Sequence, residues 1–488
     1  MEGRLKLKTL KGIGFSAFAK LAVFALSMLT GIILAQTLSA KDYGVVGFAM
    51  IFIGFLANFS DLGLNSAVVQ RDKLDDDAFA TAFTMRLILG VCAFAVLLSL
   101  LPLMSFFSDD RAVPDVMKAL SLSLLINTAA FIPTAVLTRK MDFGKLMFPQ
   151  VASSAAGSVV SITLALNGYR YWSLVGSSLC SAAVTAVLVN LLCPVGIRFR
   201  FDKPAAREYL SFGSPIFLTG LLVYLIFNAD NFIIGAVKGS KDLGYYAIAF
   251  TWGSMIAARL YEVVHNVLFP AFSKIKDDRE KLKRAYLKGL EFAAFIGVAV
   301  NLSLLISARE FLYQVLGHGS DKWMPALLTF KILLIYGMIR SFLEPVANVL
   351  LALGETKLML KSNLLAGILE MAFLYPALKY FGIEGVAIAV TLAYSSQYLV
   401  YFPFLRKEIR LCAHDILALV KPMAGSALVA AAFLSVLRTV TDASIPAMLL
   451  ELAACIAAYL LTYNIITGWS LAKEFASIIG NRVTRRTP

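Results

Sequence analysis

The sequence is dominated by apolar runs, each long enough to cross a bilayer and each bounded by charged residues, glycine or proline. A membrane-spanning helix needs about 20 predominantly apolar residues, and only helices or closed barrels satisfy their backbone hydrogen bonds inside lipid. The pattern therefore predicts an all-α polytopic membrane protein with about 14 transmembrane helices. The predicted spans lie near 14–38, 44–69, 80–107, 112–138, 145–167, 171–196, 209–236, 243–272, 286–308, 324–352, 358–380, 384–405, 413–437 and 444–468.

Composition excludes an ordinary cytosolic enzyme. Of the 488 residues, 59% are hydrophobic and 16% are charged, against about 25% charged in a soluble domain. The mean hydropathy of +0.77 agrees. The basic start runs into an apolar stretch that is too long for a cleavable signal peptide. The five cysteines lie in or beside apolar runs without a CxxC motif, so no metal site or disulfide is expected; they are Cys92, Cys180, Cys193, Cys412 and Cys455.

The net charge of +14 indicates orientation and not a nucleic-acid partner. With the N-terminus in the cytoplasm, 29 Lys and Arg fall in cytoplasmic segments and 9 in outer segments. Cytoplasmic loops of membrane proteins carry an excess of Lys and Arg. The asymmetry predicts an even number of spans with both termini inside. Seven of the basic residues lie in Lys274–Lys288, which is predicted to be a basic helix at anionic headgroups.

The two halves of the chain contain matching segments in the same order. Lys41–Gly44 matches Lys241–Gly244 at an offset of 200, and Gly168 matches Gly382 at an offset of 214. An even-numbered repeat relates two lobes by an axis along the membrane normal, with the substrate path between them. The predicted domains are an N-lobe at 1–197 with spans 1–6, a basic linker at 198–208, a C-lobe at 209–406 with spans 7–12, and 407–488 with spans 13–14 and a basic tail.

Several short motifs resemble one family. They are Asp42-Tyr43-Gly44, Asp61–Arg71, Phe212-Gly213-Ser214-Pro215, Asn228–Gly235, Leu243–Ala247 and Phe269–Ser273. Together they resemble the polysaccharide-exporter branch, the Wzx-like flippases of lipid-linked oligosaccharides, in the MOP superfamily that also contains MATE and MurJ-like transporters. The resemblance extends over essentially the whole chain.

The resemblance implies a V-shaped pair of six-helix lobes in the bacterial inner membrane that alternates between inward-open and outward-open states. Its implied substrate is an undecaprenyl-diphosphate-linked sugar unit, moved to the outer leaflet for exopolysaccharide, capsule or O-antigen synthesis. Residues 413–468 would flank a groove for the lipid tail, and a polysaccharide polymerase is an implied partner. No cofactor is expected, and the driving force is left open between H⁺, Na⁺ and the membrane potential.

Charged residues inside the predicted spans are candidates for the central cavity, because an ionisable group at mid-bilayer needs a partner or water. Asn58, Asp61 and Asn65 are spaced to form a polar stripe on span two. In span eight, Arg259, Glu262 and His265 occupy central turns. The repeat offset makes Glu262 the counterpart of Asp61.

A diphosphate is bound best by basic hydrogen-bond donors such as Arg and Lys. The candidates are Arg259, Lys20 and Arg86, although Lys20 and Arg86 could also snorkel to the interface. Asp61, Glu262 and Asp230 could bind a coupling cation, position the basic groups or form interhelical ion pairs. Arg340 and Glu344, four residues apart, favour a structural pair, and His265 favours a hydrogen-bonded packing role.

Three other functions fit this sequence less well than a flippase does. A MATE-like exporter of organic cations gains nothing from a central Arg259, and a major-facilitator carrier would have a basic loop after span two, where residues 70–77 are acidic. A membrane enzyme such as a polymerase would have a larger outer loop with catalytic residues. The sequence thus favours a flippase without enzymatic activity, with a MATE-like exporter as the alternative.

Overall fold

The computed structural model describes residues 2–71, 76–108, 110–196, 199–438 and 444–468. These residues are helical, with no strand among them. The helices are α1 (Glu2–Thr37), α2 (Ala40–Asp61), α3 (Leu64–Gln70), α4 (Asp76–Leu100), α5 (Ala112–Arg139), α6 (Phe143–Leu166), α7 (Trp172–Leu192), α8 (Lys203–Lys238), α9 (Ser240–Ile275), α10 (Arg279–Ile306), α11 (Ala308–Glu310), α12 (Leu327–Leu353), α13 (Thr356–Ser395), α14 (Gln397–Glu408), α15 (Ala413–Leu437) and α16 (Ile445–Ile466). Leu101–Phe106 and Asp321–Ala326 are 3₁₀ turns, and Phe311–Leu316 is a π-helix.

The all-α class is confirmed. Twelve segments in the described part of the chain are long and apolar enough to cross a membrane. The predicted second span, 44–69, lies within Ala40–Gln70, a segment long and apolar enough to cross a membrane. This span is broken near its end, because α2 ends at Asp61 and the backbone is left-handed at Leu62 and Gly63, with φ of 44° and 71°. The basic segment Lys274–Lys288 is also divided, since α9 ends at Ile275 and α10 begins at Arg279.

Polar caps fix where several helices begin. Ser39 and Asp42 form a capping box at the start of α2: the Asp42 N–H donates to Ser39 Oγ, and Asp42 Oδ2 accepts from the Ser39 N–H. Asp202 and Asp278 cap α8 and α10 in the same way, by accepting from the backbone N–H three residues on. Such caps satisfy orphan backbone donors and each contributes about 1 kcal/mol.

The chain forms two compact units, residues 1–247 and 248–488. In the first, α2 packs against α4, α5 and α8, while α6 packs against α1 and α7. One apolar core of this unit joins Leu64 and Val68 of α3 to Phe131 and Ala135 of α5 and to Tyr209 of α8. This packing places the polar end of α2 beside α4.

In the second unit, α10 packs against α12, α15 and α16, and α12 packs against α13. One apolar core of this unit includes Tyr286, Leu343, Val349 and Tyr401. The predicted division into lobes at 1–197 and 209–406 stays a prediction. Arg198 of the predicted linker and the basic tail from residue 469 lie outside the described residues.

The predicted repeat has a direct structural counterpart within the first unit, where the starts of α2 and α9 cross. A Cβ on Gly44 would lie 1.6 Å from the Ser240 carbonyl oxygen, and a Cβ on Gly244 would lie 1.7 Å from the Ala40 carbonyl oxygen. The contact is reciprocal: Gly44 approaches the Ser240 carbonyl, and its repeat equivalent Gly244 approaches the Ala40 carbonyl. A two-fold axis relating the two repeats requires such an exchange. Only glycine permits this backbone approach.

The other predicted repeat pair also agrees. Gly168, between α6 and α7, and Gly382, inside α13, both have positive φ, 80° and 65°. The backbone at Gly382 is non-helical, so Thr356–Ser395 consists of two helices joined at a kink. The α13 segment therefore matches α6 and α7 together.

Candidate functional site

A charged pair inside the first unit links α2 to α4. Arg86 Nη1 lies 3.2 Å from Asp61 Oδ1, and the side chains are 11% and 36% exposed. The chain turns at Leu62 and Gly63 directly after Asp61, so this carboxylate lies at the end of α2. Arg86 is therefore held by a partner in the protein interior, and this geometry does not favour snorkelling.

A third helix contributes to the Arg86 environment. The guanidinium carbon lies 5.5 Å from the ring centroid of Phe131 on α5, within the range of a cation–π contact. Arg86 Nε is buried and has no hydrogen-bond partner among the described residues. The guanidinium thus keeps one donor that the described protein groups do not use.

The predicted stripe of Asn58, Asp61 and Asn65 is wrong as a continuous helix face. The turn at Leu62 and Gly63 places Asn65 on α3, where it is exposed. Asn58 is half-buried on α2, and its Nδ2 donates to the Gly54 carbonyl at 2.8 Å. The polar surface near Asp61 therefore comes from two helix ends and not from one stripe.

Asp230 lies in the buried interior of α8. Its side-chain oxygens accept from Tyr246 Oη at 2.6 Å, from the Asn231 N–H at 2.7 Å and from Asn231 Nδ2 at 3.0 Å. The residue is 3% exposed. These contacts favour a role in joining α8 to α9, and the predicted place in the cavity stays a prediction.

The remaining predicted site residues are separated along the chain. Lys20 on α1 is exposed, and Arg259 on α9 is half-buried in the second unit. The Glu262 side chain lies outside the described residues, so its match to Asp61 stays a prediction.

The second unit has its own buried polar cluster. Arg340 Nε donates to Glu344 Oε1 at 2.6 Å, which confirms the predicted pair. His265 Nδ1 lies 2.6 Å from Asn348 Oδ1, which confirms its hydrogen-bonded role. Sequence reasoning missed Asn348, which is fully buried and donates to the Glu344 carbonyl. Its spacing of four from Glu344 was the available signal.

The basic surface segment is partly neutralised. Arg279 Nη2 lies 3.4 Å from Glu408 Oε1, and Lys283 Nζ lies 2.7 Å from Asp415 Oδ2. The side chain and backbone N–H of Lys281 donate to Asp278, and these hydrogen bonds lower the pKa of that carboxyl. Asp278 therefore stays ionised as the cap of α10 at neutral pH.

Residues 33–328 match the polysaccharide biosynthesis protein family over more than half of the chain. The chain belongs to this family. A Klebsiella pneumoniae relative, described as an uncharacterised membrane protein in the cps region, is 25% identical over 83% of this chain and 84% of its own. The lipopolysaccharide biosynthesis protein WzxC of Escherichia coli K12 is 23% identical over 80% and 78%.

Comparison with solved structures shows the fold. The lipid II flippase MurJ, in an inward closed conformation, superimposes with a TM-score of 0.77 and covers 93% of this chain and 98% of its own at 12% identity. The resemblance to the polysaccharide-exporter, Wzx-like proteins is confirmed, and the chain is a multi-pass protein of the bacterial inner membrane. In the described part of the chain, no group of three or more His, Cys, Asp or Glu could hold a metal ion.

Proposed function

We propose that this protein is a flippase that moves undecaprenyl-diphosphate-linked oligosaccharide units from the cytoplasmic to the outer leaflet. One observation carries the proposal: a member of the polysaccharide biosynthesis family has, over nearly its whole length, the fold of a protein named as a lipid II flippase. The products would be used for exopolysaccharide, capsule or O-antigen synthesis, with a polysaccharide polymerase as a downstream partner.

The proposed architecture is 14 spans with both termini in the cytoplasm. Helix α9 is 36 residues long, well above the length that a span requires. The candidate span Thr356–Glu408 has 53 residues and is interrupted at Gly382, so it provides two crossings. The 12 candidate spans do not include α9 and count Thr356–Glu408 once, so adding α9 and a second crossing in Thr356–Glu408 gives 14. The distribution of basic residues, 29 in cytoplasmic and 9 in outer segments, supports the orientation. The N-lobe and C-lobe are the repeats 1–197 and 209–406.

The proposed mechanism is alternating access with exchange of ionic partners. In the described structure Asp61 occupies one edge of the Arg86 guanidinium, while its Nε has no partner there. A diphosphate that enters the cavity would accept from this guanidinium, because charge-assisted bonds to phosphate are among the strongest available. Arg259 and Lys20 are proposed to supply further positive charge, and Glu262 and Asn58 to line the same path.

A MATE-like exporter of organic cations is the alternative that the test must separate. Such a carrier needs a carboxylate for its cargo. Three of the described intramembrane carboxylates already have side-chain partners: Asp61 pairs with Arg86, Glu344 pairs with Arg340, and Asp230 accepts from Tyr246. This pattern supports the flippase.

The experiment is deletion of the gene, with measurement of surface polysaccharide and of lipid-linked units on each membrane face. We expect loss of polysaccharide and accumulation of lipid-linked units on the cytoplasmic side. Complementation with wild type should restore export, and Arg259→Ala should not, at equal protein level. Normal polysaccharide together with new sensitivity to cationic drugs would contradict the proposal and support the exporter.

A further inference from the structure

Two hydrogen bonds hold the start of α8 to α4 within the first unit. Asp202, which caps α8, donates its backbone N–H to Thr81 Oγ1 at 3.0 Å. Tyr209, in the second turn of α8, donates its hydroxyl hydrogen to the Ala78 carbonyl at 3.1 Å and is only 1% exposed. The predicted linker at 198–208 therefore contacts α4 in its described part, and the start of α8 is not a free tether.

Two ion pairs join the same elements. Arg71, directly after α3, places Nη2 at 3.2 Å from Glu208 Oε2, and its guanidinium carbon lies 5.3 Å from the ring centroid of Tyr209. Arg200 Nη1 lies 2.6 Å from Asp77 Oδ1. The side chains of Glu208, Arg200 and Asp77 are between 46% and 64% exposed. Exposed ion pairs contribute little stability, so these contacts can break and form again.

A close backbone crossing lies one helical turn further along α8. A Cβ on Gly213 would lie 2.3 Å from the Leu62 carbonyl oxygen, and a Cβ on Gly63 would lie 2.5 Å from the Gly213 carbonyl oxygen. Leu62 and Gly63 form the turn directly after Asp61. Helix α8 therefore packs on the end of α2 that carries the pair between Asp61 and Arg86.

We propose that the contacts of Arg200, Asp202, Glu208 and Tyr209 with α3, α4 and Arg71 form a releasable latch, the α8 latch, which closes the route from the cytoplasm to Asp61. The proposal rests on the proposed function, which places the start of α8 in the cytoplasm and Asp61 on the transport path. The engaged latch keeps α8 seated on the turn after Asp61. Its release lets the start of α8 move away, so that a substrate can enter from the cytoplasmic leaflet.

The test measures how fast a membrane-impermeant maleimide labels Asn58→Cys in inverted vesicles, which expose the cytoplasmic face. The full-length chain is used, with its five native cysteines replaced by serine. Asn58 reports on α8, because a Cβ on Gly220 of that helix would lie 3.9 Å from Asn58 Oδ1. The double variant Arg71→Gln/Tyr209→Phe removes an ion pair and the hydrogen bond to α4. It should be labelled at least about fivefold faster.

Two controls separate release of the latch from a change of charge or a general loosening. Arg207→Gln removes a positive charge from an exposed position of the same turn of α8 and should leave the labelling rate unchanged. In right-side-out vesicles, which expose the outer face, labelling of the Arg71→Gln/Tyr209→Phe variant should not increase. An equal increase in Arg207→Gln, or an equal increase from both faces, would overturn the proposal.

A locked variant should change the rate in the opposite direction. Thr81→Cys/Asp202→Cys puts two thiols where the backbone of residue 202 meets the side chain of residue 81. Once oxidised, this variant should lose labelling of Asn58→Cys from the cytoplasmic face, and reduction should restore it. Labelling that does not respond to the formed disulfide would contradict the latch. Because labelling needs no transport, failure of the latch is distinguishable from failure of the flippase, which the polysaccharide assay tests.

Discussion

At the scale of single residues, the pair between Asp61 and Arg86 either only holds α2 to α4 or also takes part in transport. The two roles predict different effects of removing one charge or both. Breaking a buried ion pair by removing one partner costs about 3–5 kcal/mol, because the other charge loses its compensation. Asp61 is 36% exposed, so solvent screening reduces the cost here. If the pair is purely structural, a variant that lacks both charges should still export polysaccharide.

We predict that Arg86→Gln lowers stability by about 2 kcal/mol, since it leaves Asp61 without its cation. The double variant Asp61→Asn/Arg86→Gln should regain most of that stability and still fail to export polysaccharide. Thermal unfolding of purified protein and surface polysaccharide are the two measurements. Wild-type export by the stable double variant would show that the pair only holds α2 to α4.

The sequence identified these charged residues but not their partners. Asp61 and Arg86 are visible as charges within apolar runs, and the distance between them depends on how α2 packs against α4. The same holds for Asp230, whose contact with Tyr246 joins two helices. The sequence predicts an ion-pair partner only when the two residues are three or four positions apart on one helix, as Arg340 and Glu344 are.

At the scale of elements, hydropathy predicts where helices lie because it is local, and it misses breaks caused by backbone conformation. Leu62 is a good helix former, yet it has φ of 44° at the end of α2. A non-glycine residue rarely adopts this conformation, so hydropathy does not predict the break at Leu62, and Gly63 is the available signal for it. The crossing of α2 and α9 could be located from the repeat, although the reciprocal contact itself required the structure.

We predict that Gly44→Ala and Gly244→Ala destabilise the protein equally, each by at least about 3 kcal/mol, because the new methyl group would overlap a backbone carbonyl that cannot rotate away. The matched control is Gly47→Ala on α2, where the nearest atom is a Leu243 methyl at 3.9 Å. Unfolding temperatures of the three purified variants measure the effect. A loss in Gly44→Ala no greater than in Gly47→Ala would contradict the proposed close crossing.

At the scale of the whole molecule, the topology depends on whether the chain crosses twice between Thr356 and Glu408. Fifty-three residues are enough for two spans of about 20. The repeat supports two, since Gly382 matches Gly168, the turn that separates α6 from α7. With a single crossing, every later loop would change sides and the positive charge near Arg406 and Arg410 would lie outside.

We predict that reporter fusions after Glu355 and Arg410 are cytoplasmic and that a fusion after Gly382 lies on the outer side. Paired alkaline phosphatase and fluorescent-protein fusions give opposite signals on the two faces, so each position is read twice. A fusion after Gly168 is the matched control, because it lies at the equivalent turn of the first repeat and should also be outside. A cytoplasmic signal after Gly382 with an outer signal after Arg410 would establish a single crossing and contradict the 14-span topology.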